Sequence, residues 1–252
     1  MNVKTWLRLA AAALALLVWQ TASMAVGSAL LLPSPVKVLA HLAALVPTAG
    51  FWRAVAFSFC RIAGGFALAL VLAAALAFAA GRWPILDVLL RPYVLAVKSV
   101  PVASFIILAL IWMDTAALPL FISFLMVFPI LYTNILQGIR SADALLTEMA
   151  CTFRVPWRRQ VRSILLPAVE PFLLAGCATA LGMSWKAGVA AEVIGVVGGS
   201  LGERLYDAKI YLQTADLLAW TVVIVVLSAA FEHLVLALLR RGLRALERGR
   251  RR

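Results

Sequence analysis

The chain has 252 residues, of which 64% are hydrophobic and only 13% charged, against about a quarter charged in soluble domains. That balance excludes an ordinary soluble enzyme and defines an integral membrane protein with room for one domain, 1–252. The net charge of +12 is crowded at the C-terminus, in Arg240, Arg241, Arg244, Arg248, Arg250, Arg251 and Arg252; beside an apolar span such a tail reads as an orientation signal touching membrane lipid, not as a nucleic-acid site.

The first apolar run is 7–32. Lys4 and Arg8 before it, and Ser23, Met24 and Ala25 within it, also fit a cleavable signal peptide. The run is longer than the usual apolar region of about 7–15 residues, so an uncleaved span is expected. Pro33, Ser34 and Pro35 end it, and 33–52 reads as an external amphipathic segment. Its helix candidate is 36–46, with Val36, Leu39, Leu42 and Leu45 or Val46 on one side.

The second span is expected over 54–80 and a short connecting loop over 84–92. The third span, 93–113, holds Pro101, which should kink it. A tight connection at 114–117 leads to the fourth span, 118–138, with Pro129 as a second kink. The fifth span, 169–191, is rich in Ala and Gly, which permits close helix approach. A polar loop over 195–214 precedes the sixth span, 217–239, and a basic tail over 240–252. The expected architecture is all-α and polytopic, with six transmembrane helices.

The longest polar interruption is 139–168, between the fourth and fifth spans. It is patterned. Leu145, Met149 and Phe153 recur every four residues and share one helix face. Ser141 can cap this helix, and Val155, preceding Pro156, should stop it near Arg154. Pro156 suits the first turn of a second helix. There Trp157, Val161, Ile164 and Leu165 make an apolar stripe opposite Arg158, Arg159 and Arg162.

Positive charge sets the orientation. With the N-terminus inside, the cytoplasmic segments hold Lys4, Arg8, Arg82, Arg91, Arg140, Arg154, Arg158, Arg159, Arg162 and the tail arginines, and the external ones only Lys37, Arg53, Arg204 and Lys209. Both termini and the 139–168 loop are then cytoplasmic.

Glu148, Ala150, Leu165, Leu166, Pro167 and Gly176 resemble the EAA loop of bacterial ABC-importer permeases, most closely the nitrate/sulfonate/taurine type. LLPSP at 31–35, KSVPVASFIILALIWM at 98–113 and WKAGVAAEVIG at 185–195 resemble the same branch. Two positions depart from the pattern. Met149 stands at the usual second Ala, and Arg154 at the usual Gly six residues after the Glu.

The resemblance implies a type I importer fold, in which the first helix of this loop is a coupling helix fitting a groove on a separate ATP-binding cassette ATPase. Glu148 would lie at that join, and the bend would come from Arg154, Val155 and Pro156 through proline. It also implies a permease homodimer, an extracytoplasmic solute-binding protein that delivers substrate, and a place in the cytoplasmic membrane. No cofactor is expected on this chain, because ATP would bind the partner. The family's solutes include nitrate, sulfonates and taurine.

The residues themselves agree that ATP hydrolysis lies elsewhere, since the chain has no G-x-x-x-x-G-K-[ST] loop and no Gly-Lys dipeptide. An ion-coupled secondary transporter is the alternative; such proteins often show internal repeats and midplane acidic residues, and neither is evident here. Gly198, Ser200 and Gly202 match G-x-S-x-G, the nucleophile pattern of hydrolases. That pattern needs a strand before it, so a turn is expected. Cys60, Cys151 and Cys177 lack any metal-site or disulfide spacing, and the two histidines, His41 and His233, lie in different segments.

Ionisable residues in or beside spans are few: Arg61, Lys98, Lys186, Glu192, Asp216, Glu232 and His233. Charges at bilayer depth are costly and point to function or to pairing. Lys186, Arg61 and Glu192 are the candidates for the translocation pathway, with pairing of Arg61 to Glu192 as the structural reading. Lys98 can snorkel to headgroups, and the last three border the sixth span.

Overall fold

The computed structural model describes residues 3–248. Arg250, Arg251 and Arg252 lie outside the described residues, as do the side chains of Lys4, Arg8 and Arg248. All the regular structure in the described residues is helical. In order the helices are α1 (Val3–Val26), α2 (Pro35–Leu45), α3 (Ala49–Arg82), α4 (Pro84–Ser99), α5 (Val102–Trp112), α6 (Leu118–Arg140), α7 (Ala144–Thr152), α8 (Trp157–Gln160), α9 (Leu166–Ile194), α10 (Leu201–Ile210) and α11 (Thr214–Arg248).

Four continuous stretches are long and apolar enough to cross a membrane: Ala49–Arg82, Thr115–Arg140, Trp157–Ile194 and Thr214–Ala245. The pair α4 and α5 passes the same test only as one broken span, bent by 106°. In α1 the stretch Ala10–Val26 is a shorter apolar helix.

The core is built on α6, which packs against α3 on one side and α9 on the other. Gly65 faces Leu120 and Ser123, and Gly81 faces Ile139, so α3 and α6 run parallel. Gly138 meets Val169 and Gly176 meets Asn134, so α6 and α9 run antiparallel. At Gly176 a Cβ would sit 2.8 Å from the Asn134 Cβ; only glycine lets the two backbones come this close. Alanines 69, 73, 77 and 80 of α3 are buried, which supplies the same small-residue contact. An aromatic cluster of Phe59, Phe66, Trp185 and Phe231 then joins α3, α9 and α11.

Several expected boundaries are corrected. The expected loop over 84–92 is the first half of α4: Pro84 stands in the first turn, where a missing N–H costs nothing, and Pro92 is carried inside the helix. The expected single kinked span over 93–113 is two helices, because Val100 and Pro101 are both extended. The expected polar loop over 195–214 contains α10. The expected 33–52 segment divides, since α2 ends at Leu45 and α3 starts at Ala49. On α2 the inward face is Pro35, Val38 and Leu42, while Val36 and Leu39 face out. The tail from 240 is no separate segment as far as Arg248, because α11 runs through it.

Candidate functional site: the loop between α6 and α9

The loop starts at Ser141, which accepts nothing from the next helix; the cap expected there is Asp143, whose carboxylate accepts from the Leu145 N–H at 2.8 Å. From that cap α7 runs nine residues. Its inner face is Ala150, which is buried. Its outer face is the stripe read from the sequence. Leu145 is 75% exposed, Met149 53% and Phe153 74%, with Glu148 exposed beside them. Three large apolar side chains on one turn-matched line are left exposed, an uncovered apolar face.

The bend after α7 is a correction. Proline does not make it alone. The Arg154 N–H donates to the Cys151 carbonyl at 3.0 Å, and the Val155 N–H to the Ala150 carbonyl at 2.8 Å, while Arg154 holds φ +53°. This is a Schellman ending, whose left-handed position is usually glycine. Arg154 occupies that position without being glycine. Pro156, at φ −61°, stands at the N-cap position of the short α8, one place before the first turn expected for it.

The chain continues through a π-helical turn, Val161–Leu165, into α9. Leu165 is buried, whereas Trp157 is 43% exposed. Pro167 stands in the first turn of α9, and Gly176 lies deeper in it at the contact with α6. Below the loop, Gly81, Ile139, Ala142, Thr147, Trp157 and Gln160 line a cavity of about 160 Å³.

No hydrogen bond or ion pair joins the three candidate pathway residues to one another among the described residues. Arg61 donates through Nε to the Ala116 carbonyl at 2.6 Å and lies over the Phe57 ring, 3.5 Å from its centroid. Glu192 is fully buried and accepts from the Gly202 N–H at 3.0 Å. The two form no ion pair, which corrects the pairing expected of them: the only ion pair among the described residues joins Arg140 to Asp87. Lys186 is exposed, on the side of α9 that also shows Thr179, Met183 and Ile194. It has no hydrogen-bond partner among the described residues.

Glu192 instead holds α10. Its Gly202 bond sits beside a second one, from the Leu201 N–H to Ser58 Oγ at 2.9 Å. These satisfy amides of the first turn of α10 that have no partner within the helix. A Cβ on Gly202 would lie 2.2 Å from the Glu192 Cβ, so the position admits only glycine. Ser200, the serine of the G-x-S-x-G match, caps α10 by accepting from the Glu203 N–H at 3.0 Å. Glu203 reaches back to the Gly199 N–H at 2.7 Å, and Gly199 has φ +76°. The motif makes the turn expected of it and, beyond that, a capping arrangement. Sequence reasoning passed over Ser58, which no local pattern marks, and α10, whose signal was the Ser200-x-x-Glu203 spacing.

A bundle of long apolar helices with glycine-mediated packing, interrupted by one amphipathic loop that leaves an apolar face uncovered, defines a multi-pass membrane protein. Residues 65–248 match the family described as binding-protein-dependent transport system inner membrane component, and the chain belongs to that family. It is a permease subunit of a transport system. It is 29% identical over 230 residues to the aliphatic sulfonates transport permease protein SsuC of Bacillus subtilis (strain 168), covering 90% of this chain and 83% of that one. It is 29% identical over 236 residues to the taurine transport system permease protein TauC of Escherichia coli (strain K12), covering 91% and 82%. To the bicarbonate transport system permease protein CmpB of Synechococcus elongatus it is 27% identical over 172 residues, covering 67% and 60%.

Proposed function

We propose that this chain forms half of the pathway of an ATP-driven importer for a small anionic or zwitterionic solute of the sulfonate, taurine, nitrate or bicarbonate kind. Two copies enclose the pathway as a homodimer. ATP binds two separate ATP-binding cassette ATPase subunits, so no cofactor sits on this chain. An extracytoplasmic solute-binding protein delivers the substrate. The chain acts as a single permease domain of six crossings, counting α1 and the bent pair α4 and α5, with both termini cytoplasmic.

The observation that carries this reading is the uncovered stripe of Leu145, Met149 and Phe153 on α7. Burying three such side chains against a partner removes enough apolar area from water to be worth several kcal/mol, at about 1.5–3 kcal/mol each. Ala150, on the opposite face, is buried, and the bend at Arg154 ends the helix. ATP binding then shifts the pair of permeases between inward- and outward-facing states through its different contacts with each.

Glu148 stands beside the docking stripe. The test is a cysteine at Met149 paired with cysteines along the groove of a partner ATPase. Crosslinks that form in the assembled transporter and alter with ATP support the reading. Absence of crosslinks in a transporter that still imports solute would move the docking role away from α7.

A further inference from the structure

Between α4 and α6 lies a cleft of about 360 Å³, at the lower end of the roughly 300–1,000 Å³ of small-molecule sites. Its walls carry an unusual charge for so apolar a protein. Asp87, Arg91 and Lys98 line it from α4, and Tyr132, Thr133 and Arg140 from α6. Asp87, Arg91 and Lys98 stand four and seven residues apart, which sets them on one face of α4.

One cation is already engaged. Arg140 donates to Asp87 Oδ2 at 2.7 Å, and the Tyr132 hydroxyl donates to Asp87 Oδ1 at 3.0 Å. That arrangement ties α4 to α6 and consumes the only carboxylate of the lining. Lys98 Nζ donates to Thr133 Oγ1 at 3.3 Å, a neutral partner. Arg91 has no hydrogen-bond or ion-pair partner among the described residues. Three cations against one carboxylate leave the cleft with a net charge of +2. Arg91 and Lys98 are exposed at the cleft, within reach of an incoming group, and a basic cleft next to a bilayer attracts anions.

We propose that this cleft is a binding site for an oxyanion group, a sulfonate or phosphate, held by Arg91 and Lys98 with Arg140 as a fixed neighbour. Arg91 supplies the forked donors that match two oxygens of such a group, and Lys98 supplies a mobile point charge. The group comes either from a solute or from the headgroup of an anionic lipid. The solute source rests on the transport reading above; the lipid source does not.

The experiment uses the purified full chain in phosphatidylcholine nanodiscs, with ethanesulfonate as one probe in calorimetry and phosphatidylglycerol as the other in native mass spectrometry. The expected result is one saturable site per chain for at least one probe. The double variant Arg91→Gln with Lys98→Gln should weaken it at least tenfold. Arg82→Gln, a cation outside the cleft, should leave it unchanged. The pair Arg91→Lys with Lys98→Arg keeps both charges and should restore most of the binding, which separates a lost ligand site from a damaged fold.

Ethanesulfonate binding that phosphatidylglycerol does not displace assigns the solute, and displacement by the lipid assigns the headgroup. Binding of neither probe, or equal binding by the double Gln variant, overturns the proposal. Normal binding in a chain that fails to import with its partners counts against the transport reading alone.

Discussion

The Val155 amide donates to the Ala150 carbonyl at 2.8 Å, and between them Arg154 is held at φ +53°. A side chain in the left-handed region costs roughly 1–2 kcal/mol relative to the right-handed one, and glycine escapes that cost. Arg154→Gly should therefore stabilise the end of α7 by about 1 kcal/mol, less the extra backbone entropy glycine loses on folding. Arg154→Val should act in the opposite direction. Hydrogen exchange of the amides of 150–156, compared across the three chains, reads the difference. Slower exchange in the Val variant than in the Gly variant would refute it.

Glu148 sits on the rim of the exposed stripe, and Glu148→Lys reverses its charge. The variant should insert and fold normally, because the side chain is exposed. It should lower solute-stimulated ATP hydrolysis at least tenfold in the reconstituted transporter, since a misplaced charge at a protein contact costs several kcal/mol. Unaltered stimulation would show that Glu148 lies off the interface.

How much of this site is legible in the sequence depends on its range along the chain. The stripe of Leu145, Met149 and Phe153 follows from four-residue spacing alone, and so does the approximate end of α7. The left-handed backbone at Arg154 does not, because nothing local distinguishes an arginine there from one in the helix. In α4, Pro84 and Pro92 read as loop signals; one fills the first turn and the other is tolerated within the helix. The partner of Glu192 is ten residues ahead and that of Leu201 is 143 residues back. Contacts at that separation leave no periodic trace, and the direct ion pair expected between Arg61 and Glu192 is not formed among the described residues.

Glu192 anchors α10 through Gly202. Replacing it with Ala strands a buried amide, at a cost of about 1–3 kcal/mol. Glu192→Ala should leave the long helices intact and loosen 197–213, seen as faster proteolysis in that segment. Gly202→Ala should do the same by steric displacement. If either variant instead protects the segment, Glu192 has another role.

Lys186 faces outward from α9 with no partner among the described residues. Lys186→Met keeps much of the apolar stem and removes the charge. Uptake should fall while assembly with the ATPase and basal hydrolysis persist, measured side by side in membrane vesicles. Loss of assembled protein would make Lys186 a structural partner of the second copy.

Orientation is tested separately. A reporter active only outside the membrane, fused after Arg252, should give no signal, because the basic residues segregate to the side of the tail. A strong signal would invert every assignment of the two faces.

The 106° turn between α4 and α5 has a consequence for what surrounds it. Val100 and Pro101 are extended there, so the helical ladder is interrupted and carbonyls near the turn lose their partners. Hydrocarbon tails have no donors to offer them, and irregular backbone at membrane depth persists only against protein or water. Where the bent pair crosses the membrane as one span, this corner of the chain is a place lipid must not reach. The permease carries, in its own backbone, a demand for a wet or proteinaceous neighbour that a solitary copy in oil would leave unmet.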